Sequence, residues 1–356
     1  MRRFSTLVKK TPLYDLHNKL KPKYGNFAGY EMPMTFGINS TKEVVTGIRN
    51  ESIGVFDISH MGIIKLKDNN KSNLKNLIET LFPINLKNLH ENNSNLTILL
   101  NHDGKIQDDL IVSNLNNSEY RLLVNSATKY SILNLLQKYN LTTDIILEDK
   151  TILAIQGSKS SKLLEEEFDI TLDEFYFNQN KFIKTPNSKI DLEISRTGYT
   201  GEDGFELYCE NDFGRYFYDK LINLKNDKNI VFGGLIERDI LRLEAGFCLS
   251  GKEFGKEKDI FYKDINMNFL IGKNRKESGN FIGSDNIIVQ KYNRKGIYSN
   301  RPLKDNDIIY CNQTIVGYVT SSSKSYYLDK FISMAFIEKD TDLKNLYTIK
   351  NKKKFY

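Results

Sequence analysis

The stretch Ser195–Leu207 constrains the fold of this chain more than any other part of the sequence. Before it, apolar residues alternate with polar ones over Ile190–Ser195, and after it the same alternation runs over Phe205–Cys209. A period of two predicts a strand on each side. The connecting segment contains three glycines, which allow positive φ and the close approach of a ligand to the backbone. The stretch therefore predicts a strand, a glycine loop and a second strand.

The second strand separates one carboxylate from its apolar neighbours. Alternation puts Phe205 and Leu207 on the buried face and turns Glu206 to the other face. A carboxylate beside a glycine loop and Tyr199 can accept two parallel N–H bonds from the flat edge of a guanidine-like heterocycle. By composition alone, the more frequent situation is a glutamate that faces water on a half-exposed strand. Glu206 is thus a candidate binding residue, with a plain surface position as its alternative.

Composition is typical of an ordinary soluble globular protein. The chain has 356 residues, enough for two or three domains, with 27% charged and 40% hydrophobic residues. No apolar run approaches the ~18 residues that cross a bilayer. The three cysteines are widely separated and form no C-x-x-C pair, so we expect neither a disulfide framework nor a structural zinc. A formal charge of +6 suggests an acidic partner or an anionic substrate, and no basic–aromatic repeat indicates nucleic acid.

The N-terminus combines a basic segment with a helix start. Met1–Lys10 contains four basic residues, two hydroxyl side chains and no acid. This composition is typical of a short mitochondrial targeting segment, and the apolar core of a secretory signal is missing. We therefore expect a location in the mitochondrial matrix, the alternative being a basic N-terminus without targeting function. Thr11 and Pro12 fit the N-cap and the first position of a following helix.

A predicted hairpin contains two adjacent aspartates. Leu96–Leu100 predicts one strand, His102–Lys105 the turn, and Ile106–Ser113 the next strand. Asp108 and Asp109 suggest a paired-carboxylate mechanism. However, neighbouring residues on a strand point to opposite faces, so only one of the two can enter a given pocket. The residues themselves do not decide which one.

Two helices carry further candidates. Glu43–Asn50 predicts an amphipathic helix, and Gly234–Gly246 predicts another that ends at a glycine. Arg238 and Arg242 lie one turn apart on the second helix, where an arginine is usually a salt-bridging surface group. His60 has the side chain of an acid–base catalyst. We favour a structural hydrogen-bonding role for it, because no second histidine or cysteine lies at ligand spacing.

Several motifs of this chain resemble those of the glycine cleavage system T protein family, and they occur in the same order. Members of this family are folate-dependent aminomethyltransferases. The most specific motif covers Arg196–Glu206 and has the sequence R-T-G-Y-T-G-E-D-G-F-E. Others extend the similarity over most of the chain: T-P-L-Y, F-A-G-Y-E-M-P, G-V-F-D-I-S-H-M-G, I-Q-D-D-L-I-V and A-I-Q-G. The resemblance implies an α+β, multi-domain folate-binding fold. Its parts would be a targeting segment at 1–10, a folate-binding region of two interleaved α+β subdomains at 11–275, and a C-terminal β-barrel at 280–356.

The resemblance also implies roles for particular residues. It makes Asp109 the catalytic carboxylate and Asp108 a turn or surface residue, and it gives Arg242 a structural position. It assigns five residues to folate binding: Asn125, Tyr176, Tyr199, Glu206 and Arg238. Two of these have alternatives, since Asn125 can be a helix cap and Tyr176 can be a core aromatic.

In the family reaction, an aminomethyl group bound through sulfur to the lipoyl arm of H protein passes to tetrahydrofolate. The products are 5,10-methylenetetrahydrofolate, ammonia and dihydrolipoyl H protein. The resemblance therefore implies an enzyme with tetrahydrofolate as co-substrate, no metal, lipoylated H protein as partner, and no nucleic acid or membrane. One alternative is a folate-binding iron–sulfur assembly factor on the same fold, although its K-G-C-Y/F-x-G-Q segment has no match at Lys276–Gly283. Another is a catalytically weak scaffold that binds the lipoyl carrier.

Two segments depart from the family pattern. Ile236 and Glu237 stand where the family usually has glycine and alanine, which adds bulk and charge beside Arg238. Asp259–Lys263 lacks the usual proline followed by glutamate. We expect both departures to act on rate or on ligand preference.

Overall fold

The computed structural model describes residues 8–67, 73–116, 118–139, 145–184, 191–350 and 353–355. The chain divides into two compact units. Unit 1 comprises Met1–Lys67, Glu91–Ser94 and Ser113–Leu241, and unit 2 comprises Asp68–His90, Asn95–Val112 and Arg242–Tyr356. Residues 1–7 of the predicted targeting segment lie outside the described residues.

The α-helices are, in chain order, α1 Tyr14–His17, α2 Thr41–Asn50, α3 Leu74–Leu81, α4 Lys129–Lys138, α5 Ser160–Phe168, α6 Asn211–Leu224, α7 Leu235–Glu244 and α8 Lys273–Ser278. The strands are β1 Pro22–Phe27, β2 Tyr30–Phe36, β3 Ile53–Asp57, β4 Gly62–Lys67, β5 Asn93–Leu100, β6 Ile106–Asn116, β7 Glu119–Val124, β8 Ile145–Glu148, β9 Thr151–Gln156, β10 Asn180–Lys184, β11 Asp191–Ser195, β12 Gly204–Cys209, β13 Ile230–Phe232, β14 Tyr292–Ser299, β15 Ile308–Cys311, β16 Thr314–Ser325, β17 Lys330–Glu338, β18 Leu346–Lys350 and β19 Lys353–Phe355. Strands β5 and β6 and helix α7 contribute residues to both units.

Unit 1 contains a six-stranded sheet with the order β10-β11-β12-β9-β3-β13. Its strands pair antiparallel except for β3 and β13, which run parallel. The predicted strand, loop and strand are confirmed, since β11 and β12 pair with Ser195 opposite Glu206. Phe205 and Leu207 lie in the hydrophobic core of the unit. The period of two therefore turns Glu206 and Tyr208 to the other face of the sheet.

The start of unit 1 differs from the prediction at Thr11. Helix α1 begins at Tyr14, and the Thr11 hydroxyl donates to Asp57 Oδ2 at 2.6 Å instead of capping the helix. Asp57 is buried, and a buried carboxylate requires donors, which explains why it takes this hydroxyl. The predicted amphipathic helix is confirmed as α2, where Ser40 and Glu43 form a reciprocal capping box.

A second sheet has the order β5-β6-β7-β4-β8, and its adjacent strands β5 and β6 confirm the predicted hairpin. The expectation that Asp108 is a turn or surface residue is wrong, because it is 1% exposed within β6. Ile106 and Leu110 are buried two positions to either side, so the strand period places Asp108 on the same face. Asp109 takes the opposite face and is half-buried.

Unit 2 contains a six-stranded sheet with the order β14-β17-β16-β15-β18-β19, which is the predicted barrel-like C-terminal sheet. The segment Val316–Ser321 lies entirely within β16. The register with β17 shifts between Val319 and Ser321, where the strand contains a bulge. Among the described residues of both units, no helix is long and apolar enough to span a membrane.

Candidate functional site

Strand β12 holds Glu206 in the interior of unit 1. The residue is 4% exposed, so the alternative of a water-facing glutamate is wrong. Tyr208 follows on the same face, and its hydroxyl donates to Glu206 Oε2 at 2.8 Å. Ser195 lies opposite Glu206 on β11, and its buried Oγ has no hydrogen-bond partner among the described residues. Strand period and cross-strand pairing thus bring a carboxylate and an unpartnered hydroxyl side by side.

Helix α7 brings Arg238 to this carboxylate. Its guanidinium lies 5.0 Å from the ring centroid of Tyr199, and Nη1 is buried without a hydrogen-bond partner in the described part of the chain. Burial lowers the pKa of Arg238, against the opposing effect of the nearby Glu206, Tyr199 and Tyr208. Tyr199, Glu206 and Arg238, three of the predicted folate-binding residues, are therefore gathered in one place. An unsatisfied buried N–H costs ~1–3 kcal/mol, which favours a ligand that supplies an acceptor.

A small recess lies beside Arg238. Its walls include Phe56, Asp57, Gly233 and Gly234. A Cβ at Gly233 would lie 2.2 Å from Phe56 Cε1, and one at Gly234 would lie 2.4 Å from Met34 O. Both positions therefore need glycine because the backbone approaches its neighbours so closely.

Asp57 lies in a buried polar cluster at the edge of this recess. It accepts from the Thr11 hydroxyl and from the hydroxyl and N–H of Ser59, and His17 Nε2 lies 3.2 Å from Asp57 Oδ2. Burial disfavours the charged carboxylate, but these contacts outweigh it and lower the pKa of Asp57. A buried negative charge is thereby fixed next to the recess.

His60 contributes a neutral ring to the same neighbourhood. Burial lowers its pKa to about 4, with Arg238 and Lys129 acting in the same direction and Asp57 opposing them. The ring packs edge-on against Phe27, with centroids 5.4 Å apart. Its Nδ1 is buried without a partner among the described residues, so the predicted structural hydrogen bond is not found at this atom. A pKa near 4 makes acid–base work by His60 unfavourable at neutral pH.

The glycine loop is shaped by a residue that the sequence analysis did not single out. Gln156 is buried, donates through Nε2 to Thr197 O at 3.1 Å and accepts from Thr200 Oγ1 at 2.8 Å. A Cβ at Gly198 would lie 1.9 Å from Gln156 Oε1, and one at Gly204 would lie 2.5 Å from Gln156 Nε2. These glycines therefore make room for a glutamine side chain, whereas the sequence suggested room for a ligand. The A-I-Q-G motif was the available signal.

The Glu237 carboxylate accepts two hydrogen bonds within unit 1. The side chain is 1% exposed, and its Oε2 accepts from Gly234 N–H at 2.8 Å, at the start of α7. Its other oxygen accepts from the Thr41 hydroxyl at 2.6 Å. Glu237 thus satisfies an N-terminal N–H of the helix that carries Arg238, as the glutamate of a capping box does. The neighbouring Ile236 is exposed.

Asn125 and Tyr176 both lie in unit 1. Asn125 is half-buried, and its carbonyl accepts from the N–H groups of Thr128 and Lys129. The N-cap of α4 is Thr128, so the helix-cap alternative for Asn125 is wrong. Tyr176 is 63% exposed, so its core-packing alternative is wrong as well. Folate binding by both residues stays a prediction.

Asp109 lies on β6 in unit 2. Within this unit its charge acts on Cys248, together with those of Arg294, Glu253 and Arg242. Burial is the main reason why the pKa of Cys248 is raised to about 12, so this thiol stays protonated. The catalytic role of Asp109 is a prediction that these contacts do not test.

A buried ion pair fixes the loop that carries Cys248. Arg242 Nη1 donates to Glu253 Oε2 at 3.0 Å, and both side chains are buried. Glu253 also accepts from the hydroxyls of Thr320 and Ser321 on β16. These contacts agree with the structural position implied for Arg242.

The second departure from the family pattern is held by ion pairs in unit 2. Asp259 lies 2.6 Å from Lys105 Nζ and also pairs with Lys291. The following Asp264 accepts from the N–H groups of Phe261, Lys291 and Tyr292. The segment is thus anchored without the expected proline.

The arrangement in unit 1 defines a class of site. A buried carboxylate, an arginine with an unpartnered N–H and an aromatic ring are the groups that recognise a flat heterocycle bearing both donors and acceptors. Two family models match the chain, the "GCVT N-terminal domain" over residues 13–275 and the "Glycine cleavage T-protein C-terminal barrel domain" over residues 295–354. Together they cover most of the sequence.

Individual relatives agree. An aminomethyltransferase of Caldanaerobacter subterraneus is 35% identical over 349 residues, covering 93% of this chain and 88% of that protein. One of Alkaliphilus oremlandii is 33% identical over 350 residues, covering 94% and 90%. The crystal structure of glycine cleavage system aminomethyltransferase T from Bartonella henselae has a TM-score of 0.87 at 27% identity, covering 98% of this chain and 95% of that one.

The chain therefore belongs to the glycine cleavage T-protein family of aminomethyltransferases. The predicted family, fold class and enzyme class are confirmed by this membership. The domain boundaries, the site residues and the cellular location are not tested by it.

Proposed function

We propose that this protein transfers the aminomethyl carbon from lipoyl-bound H protein to tetrahydrofolate, forming 5,10-methylenetetrahydrofolate, ammonia and dihydrolipoyl H protein. The observation that carries the proposal is the buried Glu206 carboxylate, whose charge acts on the Arg238 guanidinium, together with Arg238 Nη1, which has no partner among the described residues. A reduced pterin has an N–H edge and a carbonyl on its flat pyrimidine ring. It therefore supplies both the donors that Glu206 needs and the acceptor that Arg238 needs.

The site residues divide the work of binding. Glu206 would accept from the pterin N–H edge, Arg238 would donate to the pterin carbonyl, and Tyr199 would cover one ring face. The Arg238 guanidinium already lies against the Tyr199 ring, so the cation and the aromatic ring are in contact before a ligand binds. Asn125 and Tyr176 are proposed as further contacts to the folate. No step of this proposal needs a metal.

Asp109 is the proposed catalytic residue. Its carboxylate would orient the folate nitrogen toward the aminomethyl carbon, which reacts as an iminium, and would stabilise the positive charge that develops there. We expect this to increase the rate on the order of a hundredfold or more. The formal charge of +6 would favour the approach of an acidic carrier protein.

The direct test is formation of 5,10-methylenetetrahydrofolate from aminomethylated H protein and tetrahydrofolate. Asp109→Asn should abolish ammonia release while tetrahydrofolate still binds, as measured by calorimetry. Asp103→Asn, in the exposed turn of the same hairpin, is the matched control and should leave both unchanged. Full turnover by Asp109→Asn would refute its catalytic role, and no uptake of tetrahydrofolate by the unaltered protein would refute the function itself.

The location in the mitochondrial matrix is also a proposal, and it rests on the basic composition of Met1–Lys10. The relatives reported above do not support it. Fusion of this segment to a fluorescent protein tests it: the fusion should enter mitochondria, and one with Arg2 and Arg3 replaced by glutamine should not.

A further inference from the structure

The binding face of unit 1 contains a tyrosine that the family motifs do not assign. Tyr208 lies two positions after Glu206, so strand period places both side chains on one face. Its hydroxyl donates to Glu206 Oε2 at 2.8 Å. No hydrogen bond to the other oxygen, Oε1, is found among the described residues, so a ligand N–H can donate to it. Rotation of the carboxylate about its terminal bond would break the bond to Tyr208, so this contact fixes the plane in which Glu206 presents its oxygens.

The ring of Tyr208 is held in place by Arg121. The Arg121 guanidinium lies 3.9 Å from the centroid of its ring, and Arg121 forms a buried ion pair with Glu193. Arg121 Nη2 also donates to Ser113 Oγ at 2.8 Å. The ring is 3% exposed, so it has little freedom to move. Burial and the neighbouring carboxylates keep the pKa of Tyr208 well above its ordinary value, and the hydroxyl therefore remains a donor.

We propose that Tyr208 is a positioning residue that orients the Glu206 carboxylate for the pterin edge. It acts through Glu206 and does not touch the substrate. The inference rests on the proposed function, since it concerns the same binding site. A carboxylate already set in the required plane loses less rotational freedom when the ligand binds, and such preorganisation increases affinity.

The test is a double-mutant cycle on tetrahydrofolate binding, measured by calorimetry. Tyr208→Phe removes the hydroxyl alone and should raise Kd about tenfold, while kcat at saturating folate stays within about twofold. In the Glu206→Ala background, Tyr208→Phe should cause no further change, because no carboxylate remains to be oriented. An equal loss in both backgrounds, or an unchanged Kd in the single variant, would overturn the inference.

Two further measurements separate orientation from general destabilisation. Tyr218→Phe changes another fully buried tyrosine of unit 1 and should leave Kd unchanged. A folate analogue without the 2-amino group should bind more weakly than folate to the unaltered protein, and Tyr208→Phe should reduce that preference. The ratio of two dissociation constants does not depend on the folded fraction, so partial unfolding cannot imitate the result. An unreduced preference would count against the inference.

The outcomes also distinguish this inference from the proposed function. If the unaltered protein does not bind tetrahydrofolate, the proposed function fails. If it binds, and Glu206→Ala weakens binding while Tyr208→Phe does not, only the role of Tyr208 fails.

Discussion

Replacing Glu237 by the alanine that is usual in the family should destabilise this protein without weakening folate binding. Glu237 accepts from the Gly234 N–H at 2.8 Å and from the Thr41 hydroxyl at 2.6 Å. Both carboxylate oxygens are thereby engaged at the start of α7. The family-typical residue would leave the two donors without their acceptor.

The magnitude follows from those two bonds. A hydrogen bond to a charged group contributes about 1.5–3 kcal/mol to stability, and the half-buried Thr41 hydroxyl recovers part of this from water when its acceptor is removed. We therefore expect Glu237→Ala to lower the free energy of unfolding by about 3 kcal/mol. Thr41→Val removes one donor and should lower it by about 1.5 kcal/mol, and the double variant should lose less than the sum because the two residues share a bond.

Denaturant unfolding followed by circular dichroism measures the stability change, and calorimetry with tetrahydrofolate measures binding. Arg238 should keep its place once α7 has formed, so Kd should change by less than about twofold. An unchanged unfolding midpoint in Glu237→Ala would refute the capping argument. A large change in Kd at unchanged stability would show instead that the residue acts on the ligand.

Three other perturbations test separate parts of the structure. Gln156→Ala removes the acceptor of Thr200 and the core of the glycine loop, so it should lower stability by about 2–3 kcal/mol and weaken folate binding, as seen by denaturant unfolding and calorimetry. His60 has a pKa of about 4 in the folded protein against an ordinary value of about 6.5, so between these pH values only the unfolded chain gains a proton on this side chain. The free energy of unfolding should therefore fall by up to about 3 kcal/mol from pH 6.5 to pH 4. The unfolding midpoint of His60→Gln should lack the part of the pH dependence that comes from His60. Glu253→Ala removes the carboxylate that forms the ion pair with the buried Arg242 and should destabilise unit 2 by about 3–5 kcal/mol. A thermal midpoint equal to that of the unaltered protein would contradict a stabilising role of this ion pair.

Local sequence patterns correctly predicted those secondary-structure elements whose determining residues are close together in sequence. The alternation around the glycine loop predicted β11 and β12, and the turn residues between Leu100 and Ile106 predicted the β5–β6 hairpin. The amphipathic period over Glu43–Asn50 located α2. In each case the determining interactions lie within a few residues of one another, so they can be recognised without knowledge of the fold.

Burial and partner choice could not be predicted in the same way. Glu206 and Asp108 are both buried, although composition favoured an exposed position for Glu206 and the family resemblance implied a turn or surface position for Asp108. Thr11 was a suitable N-cap by sequence, but the buried Asp57 takes its hydroxyl. Two glycines of the signature stretch, Gly198 and Gly204, make room for Gln156, which lies on another strand. Each of these outcomes depends on a residue distant in sequence.

The sequence by itself determined the strands, the main helices, the family and the identity of three residues that meet at the site. Only the tertiary structure decided that Tyr199, Glu206 and Arg238 lie together, that Glu237 binds the start of its own helix and that Tyr208 holds the Glu206 carboxylate. The physical reason is that secondary structure follows from the periodicity of neighbouring residues, whereas the partner of a buried polar group is set by whichever distant segment the fold brings within hydrogen-bonding distance.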